Sequence, residues 1–267
     1  MTLREPFRRA SIGLMCLSLG MAAPCAAFDP ADVPTDYRGT FVSCMAKGEV
    51  DPVSALDYAE QWLISDLGGE AYGFYCLAIA TFQTGEPVRA AELLEDLAEH
   101  PAVRDTPDAV RFYRLAGDFF DGGGAPERAF RVLSKALDRA RFDPSLWIDR
   151  ALIRASLGDF EGTIADLDLA LALDPDNVDA LVFRGSGYLA VRDYDRAADD
   201  ALQALLLEPF SLTALWLRAQ VALAEGDRQL AIADLERITA RDDGMLAERA
   251  REALRVLKNA DQKSTLE

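Results

Sequence analysis

Catalytic and metal sites are usually assembled from histidine, cysteine and clustered carboxylates. This chain of 267 residues has one His, His100, and four Cys, beside 45 Asp+Glu and 28 Lys+Arg. One His excludes a multi-His metal site and leaves a single candidate for the commonest general base. His100 precedes Pro101 at the end of a helical pattern that runs to Glu99. A basic group there favours the helix dipole, and no nucleophile motif stands beside it. The acidic runs Asp174-Pro-Asp-Asn177, Asp193-Tyr-Asp195, Asp199-Asp200 and Asp242-Asp243 lack the alternating ligands and Gly turn of a calcium loop. The phosphate-cradling patterns GxGxxG and GxxxxGKS/T do not occur, and Gly122-Gly123-Gly124 reads as a turn between helices. We therefore expect no catalytic residues, no metal and no cofactor.

The charge balance points the same way. A net charge of −17 disfavours nucleic acid and anionic membrane surfaces, while a 50% apolar content allows a sizeable core. Residues 1–27 read as a cleaved export signal: Arg4, Arg8 and Arg9 come first, an apolar run from Ile12 to Ala23 follows, and Cys25-Ala26-Ala27 makes a small-x-small end. The run is short for a membrane span, and neither Cys16 nor Cys25 has the neighbours that lipidation wants. Cleavage would remove three basic residues and one acid, taking the net charge from −17 to −19. It would leave Cys44 and Cys76, an even pair in an exported chain, which suggests one disulfide in a periplasmic or secreted protein. That bridge would close a loop of about 31 residues and stabilise by roughly 3–4 kcal/mol. Buried free thiols are the alternative.

Two columns of charge expose the organisation. Arg150, Arg184 and Arg218 recur every 34 residues, as do Asp166, Asp200 and Asp234. Gly124, Gly158 and Gly226, Pro175 and Pro209, Ala170 and Ala204, and Ala197 and Ala231 keep the same register. Within residues 144–177, Leu146, Trp147, Ile148, Ala151, Leu152 and Ala155 mark one helical face. Gly158-Asp159 interrupts it, and Ile164, Leu167, Ala170 and Leu171 mark a second. No stretch alternates with period two, so no sheet is expected. Each Arg of the column has an Asp sixteen residues later, an offset that joins the two helices of a unit. Arg150–Asp166, Arg184–Asp200 and Arg218–Asp234 are thus read as structural ion pairs and not as a ligand-binding ladder.

The units starting at Trp147, Leu181 and Leu215 resemble tetratricopeptide repeats (TPR), which place Trp or Leu, a small residue, an aromatic, Gly-Asp-Tyr, two alanines and a closing Pro along 34 residues. Arg228 and Asp243 depart from this pattern in the last unit, as does Arg141 in the first. The resemblance implies an all-α, right-handed solenoid of stacked antiparallel helix pairs. We expect 28–109 to hold one or two degenerate pairs, with units at 110–143, 144–177, 178–211 and 212–245. A capping helix at 246–258 and a flexible tail at 259–267 would follow. The resemblance also implies a concave groove lined by first helices, here Arg111, Arg114, Ile148, Leu152, Val182, Ser186, Trp216 and Gln220. A partner segment would be anchored near Trp216, with an acidic group near Arg111 and Arg114; the alternative is that Trp216 packs against the following unit. The Lys/Asn set with which chaperone-binding members grip a C-terminal carboxylate is absent. The expected function is a non-catalytic periplasmic adaptor for a protein or peptide partner. An envelope-assembly component working through its outer faces or by oligomerisation, and an accessory subunit of an envelope enzyme, are the other readings.

Overall fold

The computed structural model describes residues 31, 33–65, 67–241 and 244–264, with side chains to 259. The expected signal segment 1–27 lies outside the described residues, as does the end of the expected tail, 265–267. Thirteen α-helices and no strand occur among the described residues. They are α1 Thr35–Val50, α2 Pro52–Leu63, α3 Glu70–Gln83, α4 Pro87–Glu99, α5 Pro107–Gly122, α6 Pro126–Arg139, α7 Pro144–Leu157, α8 Phe160–Leu173, α9 Val178–Ala190, α10 Tyr194–Leu207, α11 Leu212–Glu225, α12 Arg228–Thr239 and α13 Met245–Ser264. The closing helix α13 reaches beyond the expected end at 258. The chain forms two compact units, with the boundary between Leu157 and Gly158, inside the expected repeat 144–177.

The helix boundaries follow from a few residue types. Proline opens α2, α4, α5, α6 and α7, where its missing N–H costs nothing and its fixed φ suits the first turn. The second helices of the later repeats are opened by aspartate. Asp159, Asp193 and Asp227 each accept a hydrogen bond from the backbone N–H three residues on, at Gly162, Arg196 and Leu230. One residue earlier the chain must leave the preceding helix through the left-handed region. Gly124, Gly158 and Gly226 do so at φ 77°, 83° and 87°, and Arg192 holds the same register at φ 64°. It is the only non-glycine among the described residues at positive φ.

In the first unit, α1 to α7, consecutive helices pack on one another through an aromatic core. Phe41 stacks on Tyr75, and Tyr75 meets Phe112 at 5.6 Å between centroids. Tyr113 and Phe120 are also fully buried. Cys44 of α1 and Cys76 of α3, both buried, bring their sulfurs together with Cα atoms 6.3 Å apart, inside the range a disulfide requires. A ladder of charge joins the second helices α4 and α6: Arg128 reaches Glu92 at 2.8 Å, Lys135 reaches Glu95 at 3.1 Å and Glu99 at 3.3 Å, and Arg139 reaches Glu99 at 3.5 Å. Tyr113 donates its hydroxyl to Glu99.

The second unit, α8 to α13, has a leaner core of Leu167, Leu181, Leu215 and Leu217 interleaved with Ala170, Ala197, Ala201, Ala204 and Ala231. Small residues let its helices approach closely. A Cβ added at Gly185 would stand 2.6 Å from the Leu217 side chain and 3.1 Å from the Cβ of Asp200, so any larger residue there would force Leu217 and Asp200 to shift. The last helix α13 packs on α12 and buries Ala247 and Ala250.

Candidate functional site

The positions expected to face a partner divide between the two units. In the first, α5 carries Arg111 and Arg114, and both guanidinium groups already hold carboxylates. Arg111 Nη1 donates to Asp108 Oδ1 at 3.0 Å, one turn back on the same helix. Arg114 Nε lies 2.6 Å from Asp149 Oδ2 in an ion pair. Asp149 is a buried residue of α7, so this pair ties the first helices of successive repeats. Asp149 was not anticipated from the sequence, because its offset of 35 residues from Arg114 falls one place outside the 34-residue register. Also on α7, Ile148 is half-buried and Leu152 is buried. Arg150 of the same helix donates to Ser134 Oγ at 3.2 Å and lies over the rings of Trp147 and Phe130.

In the second unit the two Arg–Asp pairs that lie wholly inside it are formed. Arg184 grips Asp200 with a planar fork, Nε to Oδ2 at 3.0 Å and Nη2 to Oδ1 at 2.7 Å. Its third nitrogen, Nη1, reaches Asp168 on α8 at 2.8 Å. Arg218 grips Asp234 in the same way, both contacts at 2.7 Å, and Arg237 adds a contact to Asp234 at 3.4 Å. The bidentate geometry explains why arginine fills this column, since lysine could not satisfy both carboxylate oxygens in one plane. The hydrogen bonds that Arg184 donates to Asp200 raise the guanidinium above its ordinary value. Burial pushes the Asp200 carboxyl up, with Arg184 opposing the shift. Asp166 is buried in this unit, while Arg150 belongs to the other.

The expected groove positions of the second unit are mostly covered. Val182 is buried, and Ser186 is buried with its hydroxyl donating to the Val182 carbonyl of its own helix at 2.8 Å. Trp216, expected as an exposed anchor, is only 8% exposed, and the Arg249 guanidinium from α13 lies 4.9 Å from its ring centroid. The closing helix shields the indole, so the side chain serves packing. Gln220 is half-buried, and further along the same face of α11 Leu223 is 37% exposed. Asp179 and Thr213, at the helix starts, are exposed. The accessible part of this face is therefore polar and modest, without an aromatic centre.

His100 caps the end of α4 in the first unit. Its Nδ1 accepts from the Ala102 N–H at 3.3 Å, and its Nε2 lies 3.6 Å from Glu70. No group of three His, Cys, Asp or Glu side chains that could hold a metal occurs among the described residues.

No family model matches the chain. Solved structures do resemble it. MamA from Desulfovibrio magneticus RS-1 is 20% identical, with 70% of this chain and 99% of that one covered and a TM-score of 0.53. YrrB, described as a TPR protein with an unusual peptide-binding site, is 17% identical, with 76% and 98% covered and a TM-score of 0.52. The hetero-tetramer Cut9–Hcn1 of the APC/C is 18% identical, with 96% and 47% covered and a TM-score of 0.52. At these identities the likeness establishes the fold, an all-α solenoid of TPR-type helix pairs.

Proposed function

We propose, from a TPR fold in which consecutive helix pairs stack within each unit, that this protein is a non-catalytic interaction scaffold of the periplasm. It holds a partner segment against the first helices of its repeats. The observation that carries this reading is how the charged columns are spent. Arg184 and Arg218 are consumed by Asp200 and Asp234, and Arg114 by Asp149, so the titratable groups brace helices and leave the accessible inner positions to uncharged and acidic contacts. The TPR neighbour whose description names a peptide-binding site supports a peptide-like ligand. The basic start, apolar run and Ala27 end of the first 27 residues support export, and the placement of Cys44 beside Cys76 suits an oxidising compartment.

A photo-crosslinking residue at Gln220 or Asp179 tests the binding mode in cells. Adducts to one protein species are expected from both positions, while adducts from neither would overturn the inner-face reading. Amino-terminal sequencing of the mature chain tests export. A start at Phe28 is expected, and an intact Met1 in the cytoplasmic fraction would remove the periplasmic assignment.

A further inference from the structure

Two hydrogen-bond donors of the second unit stand unspent beside each other. Trp216 of α11 is 8% exposed, yet its indole N–H has no acceptor among the described residues. The other two tryptophans each have one: Trp62 donates to the Gly68 carbonyl and Trp147 to the Arg141 carbonyl. A buried indole N–H usually finds a partner, and a bare one forfeits the hydrogen bond that water would give it. The second donor is Arg249 of α13, whose guanidinium lies 4.9 Å from the Trp216 ring centroid. Arg184, Arg196, Arg218, Arg237, Arg251 and Arg255 of this unit each hold a carboxylate. Arg249 holds none among the described residues, although it is half-buried. The nearest acids along its own helix, Glu248 and Glu252, are taken by Arg251 and Arg255. Arg192 and Arg241 also lack a carboxylate among the described residues, but both stand in solvent.

Contact with an aromatic face favours the charge of a guanidinium but uses none of its N–H groups. Arg249 thus keeps a fork of donors next to the indole N–H. Gln220 lies one helical turn beyond Trp216 on α11, half-buried, and its amide likewise has no partner among the described residues. A fork and a single N–H match the two oxygens of a carboxylate. A cation would be repelled by Arg249, and an apolar group would leave both donors bare. The surrounding charge narrows the ligand further. Residues 158–267 hold 22 acidic side chains against 12 basic ones, so a polyanion is repelled, whereas one carboxylate in an otherwise neutral or basic segment is tolerated. We propose that Arg249 and the Trp216 indole N–H bind one carboxylate of the partner segment, an Asp or Glu side chain, with Gln220 beside it. The long Arg249 side chain turns to admit that carboxylate between its fork and the indole. The Lys/Asn set for a chain-end carboxylate is absent, which favours a side chain as the source. This site rests on the inner-face reading. Adducts from Gln220 and Asp179 without any carboxylate preference would leave that reading standing and remove the site.

The test follows the indole N–H signals of the three tryptophans by nuclear magnetic resonance of the purified protein, with the Trp216 signal assigned through Trp216→Phe. The probe is N-acetylglutamic acid α-amide, beside N-acetylglutamine amide as its neutral isostere and N-acetylglycine as a chain-end carboxylate. The Trp216 signal is expected to shift and saturate with the glutamate probe. Its affinity should exceed that of the glutamine probe by at least about ten-fold, the lower end of what hydrogen bonds to a charged group contribute. Arg249→Gln should weaken the glutamate probe by a similar factor at an unchanged melting midpoint. Should that midpoint fall, Arg249→Lys, which keeps the charge and the aliphatic stem, carries the comparison and should lose part of the affinity. Equal affinity for the glutamate and glutamine probes, or a wild-type response in both Arg249 variants, would overturn the proposal. So would a Trp216 signal that no probe moves, or one that N-acetylglycine alone moves, which would put the carboxylate at a chain end.

Discussion

Arg184 binds three carboxylate oxygens from two helices, and its removal would leave Asp200 as a buried acid without its partner. Breaking one side of a buried ion pair costs about 3 kcal/mol. Arg184→Ala should therefore lower the unfolding free energy by that amount in a urea titration, and Arg184→Lys should recover only part, because an ammonium cannot reproduce the fork. Equal stability of Arg184→Ala and wild type would show that the column is not structural. Trp216 belongs to the same class of residue. Being 8% exposed beneath Arg249, Trp216→Ala should cost about 3–5 kcal/mol through the cavity it leaves. Unchanged stability with loss of partner capture would instead restore the anchor role expected from the repeat register. That register showed which side of a helix faces inward. It left open whether Trp216 met a partner or packed against the following unit, and in the structure Arg249 of α13 lies over the indole.

At the level of helices and turns, the sequence was readable where local chemistry decides. Gly158-Asp159 marked the break between two helices, and the structure uses Asp159, Asp193 and Asp227 identically as caps of the second. Arg192 breaks the glycine series at φ 64°, a conformation that costs a side-chain-bearing residue about 1 kcal/mol. Arg192→Gly should accordingly raise the thermal midpoint slightly, and a fall would mean that the side chain makes a stabilising contact. The α4–α6 ladder was not legible, because its spacings of 36 and 40 residues follow no repeat column. It also makes a prediction with pH. The hydrogen bond from Tyr113, then Lys135, holds the Glu99 carboxyl below its ordinary value of 4.5, and Arg128 followed by Arg89 does the same for Glu92. A carboxyl depressed on folding contributes stability above the unfolded value and loses it as pH falls through the folded one. Both side chains are at least a third exposed, so each contribution is at most about 1 kcal/mol after solvent screening. Glu99→Gln should make the loss of stability below pH 4.5 shallower, measured by urea titration at several pH values.

Over the whole chain, charge is unevenly distributed. Residues 28–100 carry 14 acids and 3 bases, 101–157 carry 8 and 10, and 158–267 carry 22 and 12. A basic ligand should therefore be drawn in from a distance. Raising the ionic strength from about 0.01 to about 0.15 M shortens the Debye length from ~30 to ~8 Å, and the association rate of a basic partner segment should fall by about ten-fold. A rate indifferent to salt in stopped flow would show that steering plays no part. Fold class and repeat period were open to reading because they repeat, and each recurrence multiplies the signal. The exposed leucines were not, because they rest on single departures such as Leu206 in place of Asp138. The three tryptophans show what these placements offer to an observer. Trp62 in α2 donates its indole N–H to the Gly68 carbonyl at 2.9 Å, Trp147 in α7 donates to the Arg141 carbonyl at 2.8 Å, and Trp216 lies under Arg249 of α13. Each indole emits from its own stretch of helices, so variants retaining one tryptophan at a time would report spectroscopically which pair loosens first when the protein is heated.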